Sequence, residues 1–238
     1  MQGNQIRAKL RSGEWVYGTH MVEAGNPNYL LWMAETAMDF AFICTEHIPI
    51  DRKEVSWMCQ LLVQKGISPI VRIPYPDAYL TSMVLDGGAE GIVAPYVETT
   101  QEVEDLIGAV RYRPIKGEKL SDMMSGRKPA GEKLKSYLEG WNRNNYLIIG
   151  IESVTAMNRL EELLNYDEVD GVFLGPHDIT CSMEIPEEYD NPLFIAEMKK
   201  VIDICKSRGK GVGLHQDHRI PAVSGLVDYG LNWILNAS

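Results

Sequence analysis

The chain has 238 residues, 45% of them hydrophobic and 24% charged, with a formal net charge of −10. This length and apolar content can bury a full core as a single domain spanning 1–238, and they argue against disorder. The acidic balance argues against a nucleic-acid footprint, which needs clustered Lys and Arg, and no apolar run reaches the length of a membrane span.

Residues 1–13 are polar and of mixed charge, without the apolar core of a signal peptide. Short apolar runs rich in β-branched or aromatic residues then follow at 15–21, 39–45, 68–74, 91–97, 146–151, 171–174, 211–214 and 231–235, giving eight strand candidates. Segments with helical apolar spacing lie between them, at 29–36, 52–64, 76–85, 101–110, 132–142, 156–164, 192–207 and 221–229. Gly66, Gly88, Gly209 and Gly230 fall between a helix and the next strand, where a left-handed C-cap residue is wanted.

Strands alternating with helices imply a parallel sheet. Eight nearly continuous hydrophobic strands favour a closed (β/α)8 TIM barrel over an open doubly wound sheet. An open sheet usually carries a glycine-rich phosphate loop after its first strand, and Gly18-Thr19-His20-Met21 lacks that spacing. The connection between strands four and five is long and holds a polar insert, 116–129, which reads as a lid or mobile loop. The basic run Arg111-Tyr112-Arg113-Pro114-Ile115-Lys116 reads as solvated surface. After the eighth strand the sequence given leaves no room for an eighth helix, so that flank is expected to be shortened or covered by a neighbouring subunit.

Cys44, Cys59, Cys181 and Cys205 are scattered and form no Cys-x-x-Cys pair, which argues against a zinc knuckle or a disulfide framework. A soluble cytoplasmic protein is the expectation.

In such barrels the active site is built at the C-terminal ends of the strands. The polar residues expected there are His20, Glu46 and His47, Arg72, Glu152, His177 and Asp178, and His215 with Gln216. His218 lies just beyond. A histidine at a strand end is often only a structural hydrogen-bonding group, and Glu152 and Asp178 would also fit locally paired or helix-capping roles. Two acids on successive strand ends equally suit a hard metal ion. Arg72, inside an apolar strand, is costly to bury without an anionic partner.

The runs Cys44-Thr45-Glu46-His47, the strand with Arg72, Leu85-Asp86-Gly87-Gly88-Ala89, Ile151-Glu152-Ser153 and Asp170-Gly171-Val172-Phe173-Leu174-Gly175-Pro176-His177-Asp178 resemble, in this order, the HpcH/HpaI family of class II pyruvate aldolases. That resemblance covers nearly the whole chain. It implies a barrel of the phosphoenolpyruvate/pyruvate-binding superfamily type and reversible cleavage of a 4-hydroxy-2-keto acid to pyruvate and an aldehyde.

It also implies Glu152 and Asp178 as ligands of Mg²⁺, Mn²⁺ or Co²⁺, and Arg72 as the group holding the keto or enolate oxygen. His47 becomes the proton-transfer histidine, with the base open between it and a water on the metal, and Asp86 the acid orienting His47. Gly175 and Pro176 become the turn whose amides receive the substrate carboxylate, with His177 beside it, and the family implies a homo-oligomer, a hexamer or trimer of dimers. Two departures stand out: Cys44-Thr45 replaces an Asp-Gly pair, and the polar insert replaces an arginine-glycine-rich loop. The competing expectations are a CoA-ester lyase of the citrate-lyase β or malyl-CoA type, and a non-catalytic barrel that binds a small acid.

Overall fold

A computed structural model of the chain describes residues 1–21, 35, 37–216 and 223–236. Eight parallel strands, β1 (Val16–Met21), β2 (Phe40–Cys44), β3 (Ser68–Arg72), β4 (Gly91–Ala94), β5 (Tyr146–Ile151), β6 (Val169–Leu174), β7 (Gly211–Gln216) and β8 (Trp233–Asn236), are hydrogen-bonded in sequence order. The pairing of β8 with β1, Val16 opposite Trp233, closes the ring. The architecture is α/β, and all eight predicted strands form.

The strands are hydrophobic on both faces because they separate two cores. Outward residues such as Ile43, Val71, Ile92 and Leu147 pack under the helices. Inward residues, among them Phe40, Phe42, Ile70, Tyr146, Ile148, Phe173 and Trp233, fill the ring. The large rings fit because small residues face them: a Cβ on Gly91 would lie 2.4 Å from the Tyr146 ring, and one on Gly213 would lie 2.4 Å from Trp233.

Helix α1 (Gly3–Ser12) is one of the elements that periodicity did not pick out. Its Ile6 and Leu10 are buried among the inward aromatics, so it plugs the N-terminal end of the barrel. The outer helices are α2 (Arg52–Gln64), α3 (Ala78–Asp86), α4 (Thr100–Arg111), α5 (Gly117–Met124), α6 (Glu132–Trp141), α7 (Val154–Asn158), α8 (Leu160–Leu163), α9 (Pro176–Ser182), α10 (Pro192–Ser207) and α11 (Val223–Tyr229). Helices α2 and α4 start at reciprocal caps, Asp51 with Glu54 and Thr99 with Glu102.

Several expectations shift. Helix α3 begins at Ala78 rather than at Pro76, because the Asp77 carboxylate accepts from Leu80 N at 2.7 Å and sets the cap there. The helix expected over 156–164 is two short ones, α7 and α8. The helix expected at 29–36 lies outside the described residues.

The insert at 116–129 is not a loose lid. It folds as α5, whose Leu120 and Met124 pack against Gly108 of α4 on the outside of the barrel, and Asp122 ties down Arg127 and Lys128 at 2.9 Å each. Nor is the basic run simply solvated. Arg111 pairs with the fully buried Asp170, which also receives Arg11 at 2.9 Å, and Arg113 pairs with Asp86 at 3.1 Å.

Candidate active site

Period-two alternation along the strands builds this site. The inward column that carries Phe40 and Phe42 in β2 continues to Cys44. In β3 it runs from Ile70 to Arg72, and in β5 from Ile148 through Gly150 to Glu152, just past the strand end. All three positions open at the C-terminal rim. The Arg72 guanidinium carbon lies 5.8 Å from the ring centroids of both Phe42 and Phe173, so the top aromatic layer of the core is its floor.

Arg72 is held from several sides. Its Nη2 donates to Cys44 Sγ at 3.2 Å, and its Nε lies 3.0 Å from Glu46 Oε2, within ion-pair distance but without hydrogen-bond alignment. Its carbonyl accepts from Thr45 Oγ1 at 2.7 Å and from Thr45 N at 3.0 Å. The Cys44 sulfur also accepts from His47 N at 3.4 Å. Cys44 therefore supplies a soft acceptor that orients both Arg72 and the loop bearing His47.

Glu152 is 3% exposed, and its Oε1 is buried without a hydrogen-bond partner. Burial pushes its carboxyl up from 4.5 to about 7; Arg72 opposes this, while Asp178 and Glu46 add to it. Two further carboxylates and one guanidinium thus act on Glu152.

Gly175 is required here by close approach. A Cβ at this position would sit 2.8 Å from Glu152 Cγ and 3.4 Å from Asp178 Oδ2, so the two acids flank its α-carbon. Asp178 and His177 lie in the first turn of α9, opened by Pro176, and no side chain caps that turn. Such first-turn N–H groups have no partner within the helix.

The structure brings together Arg72, Glu152, Asp178, Gly175 and Pro176, with His47 at the edge. The His47 ring is 65% exposed, with Nε2 3.7 Å from Glu46 Oε2. The His177 ring turns to the following loop, Nδ1 3.5 Å from Tyr189 Oη and 3.8 Å from Glu187 Oε1. His20 packs edge-on against Phe42 with centroids 5.4 Å apart. The side chains of His215 and Gln216, and all of His218, lie outside the described residues.

Asp86 is not brought to the cluster. It is the last residue of α3, a helix that returns toward the N-terminal ends of the strands, and its partner is Arg113. The spacing of Asp86 within its glycine-flanked run carried no information about which end of the barrel it occupies.

Sequence reasoning placed Glu46 on the rim but missed its pairing with Arg72, and it took Cys44 only as a departure. The inward register of Phe40 and Phe42 was the available signal for Cys44.

Among the described residues no three His, Cys, Asp or Glu side chains converge on one point. Glu152 and Asp178 nevertheless suit a hard divalent cation. Both are carboxylates, one carries an orphaned buried oxygen, and the glycine between them leaves space. Such an ion would take two protein ligands and keep its other positions for small oxygen ligands.

The family model described as HpcH/HpaI aldolase/citrate lyase matches residues 22–218. The chain is 28% identical to a hydroxypyruvate/pyruvate aldolase of Roseobacter denitrificans, over 89% of this chain and 82% of that one. It is 27% identical to a 2-keto-3-deoxy-L-rhamnonate aldolase of Escherichia coli K12, over 88% and 76% respectively. A crystal structure of an HpcH/HpaI aldolase from Desulfitobacterium hafniense superposes with a TM-score of 0.81 at 23% identity, covering 98% of this chain and 89% of that one.

Proposed function

The chain belongs to the HpcH/HpaI aldolase/citrate lyase family, and from that membership we propose that it is a divalent-metal-dependent aldolase. It reversibly cleaves a 4-hydroxy-2-keto acid into pyruvate and an aldehyde, on a single barrel of the phosphoenolpyruvate/pyruvate-binding type. The observation that carries this reading is the buried Glu152 carboxylate, its Oε1 without a hydrogen-bond partner, beside Asp178 and Arg72 at the strand ends.

Glu152 and Asp178 would hold Mg²⁺, Mn²⁺ or Co²⁺, which when bound supplies positive charge that favours an enolate over the keto form. The remaining work falls to the chain's own groups. The N–H groups of the uncapped first turn after Gly175 and Pro176 receive the substrate carboxylate. Arg72, fixed by Cys44 and Glu46, donates to the C2 oxygen.

A base at the edge, His47, removes the C4 hydroxyl proton. The C3–C4 electron pair then moves into the C2–C3 bond, the aldehyde leaves, and the charge arriving on the C2 oxygen meets Arg72. Return of a proton to C3 gives the methyl group of pyruvate. Glu46, 3.7 Å from His47 Nε2, is placed to orient the imidazole, the task that sequence reasoning had given to Asp86.

The CoA-ester alternative needs a basic groove for phosphates, and the arginines of the one basic run are tied to Asp170 and Asp86. The protein further assembles as a homo-oligomer, for which the exposed, stacked Tyr137–Trp141 pair offers an apolar surface. Its four free cysteines suit the cytoplasm. The test of the activity is release of pyruvate from a panel of 4-hydroxy-2-keto acids with each of the three metals. Release that vanishes with chelator supports the reading, and no release from any acid refutes it.

A further inference from the structure

We propose that Tyr96 is a specificity-determining residue of this same site, the group that meets the aldehyde half of the substrate; the proposal rests on the aldolase reading.

Tyr96 has φ +52°, a left-handed backbone otherwise found here, among described non-glycine residues, only at Glu184 and Glu187. For a bulky aromatic residue that conformation is sterically disfavoured. Its neighbours show why it persists. On one side Pro95 packs onto β5 so closely that its Cα lies 2.8 Å from where a Cβ of Gly150 would be. On the other, Val97 is fully buried and its N–H donates to the Gly150 carbonyl at 3.0 Å. The chain between these two anchors has room for one residue, and the left-handed turn leaves the Tyr96 side chain 47% exposed on the rim.

Gly150 lies two residues before Glu152, so the anchors that fix Tyr96 also fix its position beside the two acids. The charges of Glu98, Asp178 and Glu152 all reach its phenol, whose O–H is a hydrogen-bond donor. Pyruvate is held inward by Arg72 and the α9 turn, so the bond to be cleaved points outward and the aldehyde half extends to the rim. There Tyr96 offers an aromatic face for C–H groups and a donor for a hydroxyl oxygen. That combination fits a hydroxylated aldehyde better than a simple alkyl one. Disfavoured backbone geometry retained at a site edge is expected where the side chain is used.

The test compares wild type, Tyr96→Phe and Tyr96→Gly, each loaded with Mn²⁺, in two reactions. One is deuterium exchange of the pyruvate methyl group, which involves no aldehyde. The other is addition of pyruvate to glyceraldehyde and to propionaldehyde. Tyr96→Phe is expected to keep exchange within about twofold, to lose about tenfold in kcat/KM for glyceraldehyde, the worth of one hydrogen bond, and to change little with propionaldehyde. Tyr96→Gly is expected to lose activity with both aldehydes while its thermal midpoint rises by roughly 2–4 °C, an effect that a purely structural tyrosine would not give. An unchanged glyceraldehyde-to-propionaldehyde ratio in Tyr96→Phe, or loss of exchange in step with addition, overturns the proposal while the aldolase reading stands. Absence of exchange in the wild type overturns both.

Discussion

Glu152→Gln should stabilise the metal-free protein at alkaline pH while removing its activity. In the folded chain burial raises the Glu152 carboxyl from 4.5 to about 7, so the native state holds this proton more tightly than the unfolded state does. The sign follows from linkage. Below pH 4.5 both states are protonated and the group costs nothing; stability falls as pH rises from 4.5 to 7 and stays low above. The distance from 4.5 to about 7, at about 1.4 kcal/mol per pH unit, is about 3 kcal/mol, a large share of a typical 5–15 kcal/mol total.

Glutamine keeps the shape without the charge. At pH 8 in chelator its thermal midpoint should therefore exceed that of wild type by roughly 6–12 °C for a chain of this size, and the difference should vanish near pH 4.5. Added Mn²⁺ at pH 8 should raise the wild type and leave the variant unmoved. Circular dichroism melts at both pH values check this. Equal midpoints at pH 8, or a variant less stable than wild type, would refute the claim that the burial of Glu152 outweighs the charge of Arg72.

Arg72→Lys loses the fork that reaches Cys44 and Glu46, and steady-state kinetics should show kcat/KM for pyruvate release down about 100-fold or more with the melting curve little changed. Asp170→Asn removes the fully buried charge that pairs with Arg11 and Arg111 and accepts from Leu147 N at 3.0 Å. Urea unfolding should show a loss of about 3–5 kcal/mol, with activity at low urea close to wild type. Gly175→Ala places a methyl 2.8 Å from Glu152 Cγ; displacement of that carboxylate should lower turnover about 100-fold, measured beside a melt that shifts by only a few degrees.

The barrel was legible because parallel strands buried on both faces leave continuous apolar runs, as in Tyr146–Ile151. Helix α1 was not. Only Ile6, Ala8 and Leu10 interrupt its polar run, and its burial is set by the open end of a barrel formed from residues far along the chain.

The site divides in the same manner. Arg72 and Glu152 follow from counting by two along strands, and Asp178 from the turn at Gly175. The partners of Arg72 and the fate of Asp86 depend on which end of the barrel a loop occupies and on what crosses to meet it. Arg113, far away in sequence, decides the second. Cys44 looked like a loss when judged by residue type, whereas its place in the inward column keeps it as an acceptor for Arg72.

The most direct test of the central claim is proton NMR of pyruvate in D2O with the protein and Mg²⁺, Mn²⁺ or Co²⁺, which follows enolisation without knowledge of the aldehyde. Loss of the methyl signal should depend on metal, stop with chelator, disappear in Glu152→Gln and slow about 100-fold or more in Arg72→Lys. No exchange with any of the three metals, or exchange undiminished in Glu152→Gln, would contradict it.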